Sequence, residues 1–343
     1  MNPKSKKLDH PRMEALILEL SQLMGPNANP KIFEDIFTDI ALIGKDHQDT
    51  GDHKLIHKAL AELRTALKMF LPYREKRKVA IFGSSRVSDS HPNYKLALEL
   101  AQGLTHQNYQ VITGAGGGIM AAANQGAGRE NSFGLNIKLP MEQSANSFIA
   151  NDPHLFEFKY FFTRKLVFIK ESSATVMLPG GFGTLDEGFE NLTLFQTGKC
   201  MPRPIILLDH EGDNYWDRWM DIIRSMMVDQ GFINKSDLSL VYRAQSAQQA
   251  IDHILNYYKV FHSLRYIGDL TVLRLTRTLP SDLVNDLNAE FQDIIVKGTL
   301  HSSPPHNQEL QNEEYIELPR LSLYFNKVGY GRLNQLIAAI NQA

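Results

Sequence analysis

As far as Leu71 the apolar residues recur every three or four positions, the period of a helix that buries one face. Met13, Leu16, Ile17, Leu20 and Leu23 form one such stripe, and Gly25-Pro26 stops it. Residues 32–43 and 55–70 predict two further amphipathic helices. From Val79 the period changes, and short apolar runs alternate with helical stretches. That alternation is the pattern of a parallel sheet with helices on both faces. The predicted strands are 79–82, 109–113, 133–137, 155–160, 174–178, 204–208 and 239–242. Helices are expected over 94–104, 119–127, 161–170, 188–196, 215–228 and 248–257. Beyond Phe261 the texture shifts again, to strand 270–275, helix 280–294, a polar loop over 301–314, strand 321–325 and helix 333–340. The chain thus reads as a helical N-terminal extension (1–75), an open parallel α/β sheet (76–260) and a small α+β module of β-α-β-α order (261–343).

Composition narrows this picture. A length of 343 residues, 43% of them hydrophobic and 22% charged, suits one large domain with additions, or two domains, with a sizeable core. A net charge of -2 gives no electrostatic case for nucleic acid or an anionic membrane. The single cysteine, Cys200, excludes a disulfide framework, and the histidines show no metal-ligand spacing. No apolar run is long enough to span a bilayer, and no apolar signal core follows the basic residues 1–7, so a cytoplasmic protein is expected. The basic run Arg74-Glu75-Lys76-Arg77-Lys78 reads as the solvated entry to a strand.

Candidate chemistry gathers in three turns that follow strands: Gly83-Ser84-Ser85, Gly114-Ala115-Gly116-Gly117-Gly118, and Gly180-Gly181-Phe182-Gly183-Thr184. In an open α/β sheet such loops share one edge and form the ligand crevice. A glycine turn that leads into a helix aims backbone N–H groups and the positive end of the helix dipole at one spot, which suits a phosphate. No Gly-Lys-Ser/Thr follows, so these are not Walker loops, and Ile119 stands where a dinucleotide fingerprint needs its third glycine. Thr184-Leu185-Asp186-Glu187 reads in two ways. It is a capping box, or it directs Glu187, and Glu190 one turn on, into the crevice to orient a ribose hydroxyl, activate water or stabilise an oxocarbenium-like centre. Arg164-Lys165 at the start of an otherwise apolar helix is either a solvated end or a grip for phosphate or carboxylate.

Together these residues resemble the LOG family, the cytokinin-activating phosphoribohydrolases often mislabelled as lysine decarboxylases. The family pattern Pro-Gly-Gly-x-Gly-Thr-x-x-Glu is matched without a gap from Pro179 to Glu187, and the preceding Arg-Lys pair is Arg164-Lys165. Phe82-Gly83-Ser84-Ser85, Gly118-Ile119-Met120, Leu139-Pro140 and Leu192-Thr193-Leu194-Phe195 extend the resemblance, which covers roughly residues 76–258 and favours the longer bacterial branch. The turn Gly114-Ala115-Gly116-Gly117-Gly118 departs from the Gly-Gly-Gly-Pro-Gly of that branch, and Ala121 stands where an acidic residue is frequent.

The resemblance implies a Rossmann-like fold and hydrolysis of the N-glycosidic bond of a nucleoside 5′-monophosphate, AMP or an N6-modified AMP, to free base and ribose 5-phosphate. It implies Glu187 and Arg164 as the catalytic pair, with Gly83, Ser84, Gly116, Gly117, Gly118, Lys165, Pro179, Gly180, Gly181, Phe182, Gly183, Thr184, Glu190 and Thr193 as the substrate-binding set. No metal or organic cofactor is implied. The expected partners are the nucleotide and a second copy of the chain, with no nucleic acid and no membrane. The alternative is a nucleotide-binding sensor of the same fold that holds its ligand without turnover.

Overall fold

The computed structural model describes residues 10–25, 28–46, 49–139, 144–311, 313 and 315–343. The basic residues 1–7, Pro26, Pro140 and Glu314 lie outside the described residues. The chain forms two compact units, residues 1–65 and 66–343. Helices α1 (Pro11–Gln22) and α2 (Pro30–Asp46) pack on each other in the first unit, and α3 (Thr50–Phe70) runs out of it. Among the described residues no helix is long and apolar enough to cross a membrane.

The second unit opens with the parallel sheet. Its strands are β1 (Lys78–Phe82), β2 (Gln110–Thr113), β3 (Ser132–Ile137), β4 (Leu155–Phe158), β5 (Ala174–Met177), β6 (Ile205–Leu208) and β7 (Tyr242–Ala244). They lie in the order β4-β3-β2-β1-β5-β6-β7, every pair parallel. All residues of β1, β2, β3, β5 and β6 are buried, as expected of strands covered on both faces. Alternate residues Val79, Ile81, Val111 and Val176 meet Leu100, Leu104, Ala122 and Ile251 of α4 (Pro92–His106), α5 (Ile119–Ala127) and α9 (Ala247–Tyr257). On the opposite face lie α6 (Phe161–Glu171), with Phe168 4.9 Å from Phe82, and α7 (Phe182–Gln196), which packs on β5. Helix α8 (Tyr215–Ile223) leaves β6 and runs on into a π-helical stretch, Arg224–Val228. Strand order reverses between β1 and β5, so the crevice at their carboxyl ends is the place for a ligand.

Two local readings shift. Residues 239–240 belong to a 3₁₀ turn, Lys235–Leu240, because Asn234 and Asp237 form a reciprocal capping box there, and the edge strand starts later, at Tyr242. The C-terminal module has four strands in place of the expected two: β8 (Phe261–Ile267), β9 (Leu270–Leu275), β10 (Ile295–Ser303) and β11 (Arg320–Phe325), antiparallel in the order β10-β11-β9-β8. In β8 the buried residues Phe261, Leu264 and Ile267 are three apart, a helix-like period produced by a register shift between Phe261 and Ser263. Strand β10 is an exposed edge with two register shifts and no alternating pattern. Part of the expected polar loop forms the end of β10 and the short helix α11 (Asn307–Gln311).

The strands are covered by α10 (Ser281–Glu290) and α12 (Tyr330–Asn341), in a core that takes in Tyr257 of α9. The module therefore shares one compact unit with the parallel sheet. Asn334 donates to Ser239 O at 2.6 Å, Tyr258 Oη donates to Ser173 O at 2.6 Å, and Asn341 Oδ1 accepts from the Val260 and Phe261 amides. Within the module Glu309 is fully buried between Arg274 and Arg320, with contacts of 2.8 and 3.0 Å.

Candidate active site

A cleft of about 720 Å³ opens at the carboxyl edge where β1 and β5 adjoin. Its floor follows from the glycine turns. The Ser84 amide donates to Pro179 O at 3.1 Å, and Ser84 O accepts from the Ile119 amide at 3.0 Å. One residue thus ties the turns after β1, β2 and β5 together. Gly118 sits at φ 57°, and a Cβ there would lie 2.3 Å from Ser84 O, so the turn admits only glycine. A Cβ on Gly180 would lie 2.1 Å from Thr184 Oγ1. Gly180 O accepts from Tyr215 Oη at 2.6 Å, which anchors the turn from the side of α8.

The loop after β2 is held by its own side chains. Ala115 takes φ 60° and is fully buried; its amide donates to Thr113 Oγ1, and its carbonyl accepts from the Asn146 amide. Asn146 Nδ2 donates to Gly116 O and to Asn124 Oδ1. The departure at Ala115 from the family turn is therefore absorbed by a hydrogen-bonded left-handed residue.

Helix α7 opens at Phe182 with Gly181 as its N-cap, and Gly181 O accepts from the Thr184 and Leu185 amides. The capping-box reading is overturned. Thr184 is the third helical residue, packed on Gly180, and Glu187 lies in the second turn. Of the first-turn amides, those of Phe182 and Gly183 precede any intrahelical acceptor, while that of Thr184 is already engaged.

Glu187 is 3% exposed yet lines the cleft, and neither carboxylate oxygen has a hydrogen-bond partner among the described residues. Arg164 Nη2 lies 3.6 Å and Lys165 Nζ 3.5 Å from its Oε1. Burial disfavours the carboxylate more than these two cations favour it, so its pKa rises to about 7. Arg164 is itself largely buried against the Phe161 and Phe168 rings, and its Nε has no acceptor. Burial lowers its pKa, against the attraction of Glu187 and Asp186. For Lys165, burial is outweighed by Asp186, Glu187 and Glu190, and the ammonium form is favoured. A carboxyl group whose pKa is raised toward neutrality in a cleft is equipped to take a proton from water or return one.

The cleft brings together Gly83, Ser84, Gly181, Phe182, Gly183, Thr184, Glu187 and Arg164 of the expected set. Phe182 stands at the rim, 94% exposed. Pro179 and Gly180 form the floor through their carbonyls, and Gly116, Gly117 and Gly118 lie behind it, Gly117 and Gly118 against the Ser84-Ser85 backbone; Gly114 is the residue of that turn that lines the cleft. Glu190 and Thr193 do not line it. A helix rises about 1.5 Å per residue, so they lie about 4.5 and 9 Å further along the axis than Glu187. Glu190 binds Lys165 at 3.0 Å, and both face a second cleft, while Thr193 lines a smaller cavity beside Trp219. Missed by sequence reasoning are the walls Met120, Ile137, Leu139 and Phe161 and the exposed cation Arg86 at the mouth. Arg86 follows directly on the Gly83-Ser84-Ser85 turn, which is the signal that points to it. Among the described residues no cluster of three His, Cys, Asp or Glu is placed to hold a metal.

A helix start with free first-turn amides and a buried carboxyl group at the switch point of a parallel sheet define a Rossmann-like protein with a candidate ligand cleft. Residues 120–254 match the family described as "Possible lysine decarboxylase". The cytokinin riboside 5′-monophosphate phosphoribohydrolase LOG1 of Arabidopsis thaliana is 26% identical over 184 residues, covering 53% of this chain and 84% of its own. The probable enzyme of the same description, LOGL3, from Oryza sativa subsp. japonica is 28% identical over 194 residues, covering 54% and 85%. Among solved structures, the molybdenum cofactor binding protein of Rippkaea orientalis aligns with a TM-score of 0.39 at 18% identity, over 52% of this chain and 96% of that one. The parallel-sheet part of this chain is thus similar to the LOG-type phosphoribohydrolases.

Proposed function

We propose that the cleft hydrolyses the N-glycosidic bond of a nucleoside 5′-monophosphate, AMP or an N6-modified AMP. The observation that carries this reading is Glu187: a buried carboxyl group with no hydrogen-bond donor of its own, facing the cleft with a pKa of about 7. The phosphate rests on the free amides of Phe182 and Gly183 with Arg86 at the mouth, and the base lies against Met120, Ile137, Leu139 and Phe161. The carboxylate of Glu187 takes a proton from water as the oxygen bonds to the anomeric carbon. The C–N bond breaks, its electron pair leaves with the base, and the base receives the proton that Glu187 took from water, giving free base and ribose 5-phosphate and restoring the carboxylate. As the ring carbon becomes oxocarbenium-like, the same negative charge stabilises it. Arg164, 3.6 Å away, holds the carboxylate toward the substrate.

Large exposed apolar residues cluster on α6 and at the start of α7: Phe161 is 49%, Phe162 52% and Leu166 52% exposed, beside Phe182. We infer that a second copy of the chain packs beside them and leaves both clefts open, which light scattering in solution tests. The activity is tested by incubating the protein with a panel of nucleoside monophosphates and assaying free base and ribose 5-phosphate, with Glu187→Ala as control. Release of both by the wild type alone is expected. Nucleotide binding without base release would instead favour the sensor, and equal release by Glu187→Ala would remove Glu187 from the mechanism.

A further inference from the structure

A second cleft, of about 910 Å³, lies between α6, the end of α7 and the start of β8, within the range of small-molecule sites. Its charge is one-sided. Arg77, Lys165, Lys170, Lys199 and Arg203 line it, against the single carboxylate of Glu190. Lys165 and Lys170 have acidic partners, Lys170 binding Glu171 at 2.6 Å. Arg77, Lys199 and Arg203 have no carboxylate within ion-pair distance among the described residues.

Arg203 is the informative member. It is 4% exposed, and its neighbours are neutral: Nη1 donates to Ile169 O and Ser172 O, and Nη2 donates to Asn191 Oδ1 at 2.6 Å. Its Nε is buried with no acceptor. The two carbonyls belong to the end of α6, whose dipole favours a cation there. That explains Nη1 and leaves the buried Nε without an acceptor. Arg77 lies over the Tyr258 ring, 3.6 Å from its centre, and its Nη2 donates to His262 O. Buried guanidinium groups are normally paired with an anion, because burial without one is costly. Phe162, Leu166 and Tyr266 add an apolar wall.

We propose that this second cleft binds a small molecule that carries a phosphate-type anion on a flat, apolar body. The anion meets Arg203, Arg77 and Lys199, and the body lies against Phe162, Leu166 and Tyr266. The site is separate from the cleft of Glu187 and stands whether or not that cleft hydrolyses nucleotides. The occupant also touches Lys165, which pairs with Glu187.

Cys200 lines this cleft and is the only cysteine in the sequence, so its thiol reports on it without ambiguity. The experiment follows the reaction of the full chain with the neutral reagent 4,4′-dithiodipyridine, with and without millimolar phenyl phosphate. Protection of about tenfold is expected, with none from phenol, and a weaker effect in Arg77→Ala and in Lys199→Gln. The dianion 5,5′-dithiobis(2-nitrobenzoate) should react about tenfold faster at low than at high salt, whereas the rate of the neutral reagent should not change with salt. Lys199→Gln removes an exposed rim charge and keeps the test valid if Arg77→Ala fails to fold. Equal rates with and without phenyl phosphate, or protection undiminished in both variants, would overturn the proposal.

Discussion

Replacing Glu187 by glutamine should stabilise this protein, by an amount that depends on pH. In the unfolded chain the carboxyl group titrates near its ordinary 4.5, and in the fold near 7, chiefly because burial penalises the charge. That interval amounts to about 3 kcal/mol. Below pH 4.5 the carboxyl group is protonated in both states and costs nothing. As pH rises, the unfolded chain loses its proton first, so folding becomes progressively less favourable until about pH 7, where the whole penalty is present. Glutamine imitates the protonated form at every pH. Glu187→Gln should therefore match the wild type at pH 4 and exceed it by about 3 kcal/mol at pH 8, about 6 °C in melting temperature for a unit of this size. Thermal unfolding of both proteins from pH 4 to 8 measures this. A difference that stays constant with pH, or a variant less stable than wild type at pH 8, would refute the reasoning.

Arg164→Met removes a cation 3.6 Å from Glu187, so the carboxyl pKa should rise and the acid limb of the base-release profile should move to higher pH, as a pH–rate series would show. Gly118→Ala forces a side chain into a left-handed position against Ser84 O and should cost on the order of 3 kcal/mol, read as a lower urea midpoint. Glu309→Ala removes the buried carboxylate that Arg274 and Arg320 both contact. It should destabilise the protein by about 3 to 5 kcal/mol in the same assay.

The strand–turn–helix rhythm from β1 to β6 was legible because each strand is a short apolar run covered on both faces, and the glycine turns stand out against it. Glu187 and Arg164 were legible as part of a motif, and the structure places them 3.6 Å apart. What spacing alone misjudged was where α7 begins. A Thr-x-x-Glu pattern fits a capping box, but the packing of Thr184 on Gly180 draws the helix start back to Phe182. Strands β8 and β10 were hidden for a different reason: irregular pairing erases the alternation that marks a strand. The cleft walls Met120, Ile137, Leu139 and Phe161 come from α5, from β3 with the loop after it, and from α6, and only the fold makes them neighbours. No local pattern identifies such a set.

The backbone of Ser84 has one further consequence, which concerns how such a cleft can diversify. Its amide and carbonyl bolt three turns into a single joint, and none of that joint depends on a side chain that faces the ligand. Substitutions on the walls can therefore reshape the cleft while the seat beneath keeps its form. The same construction makes the seat intolerant of drift: a change at Gly118 strains all three turns at once. Selection acting on such a protein would find new cleft shapes at Met120, Ile137, Leu139 or Phe161 long before it rebuilt the joint beneath them.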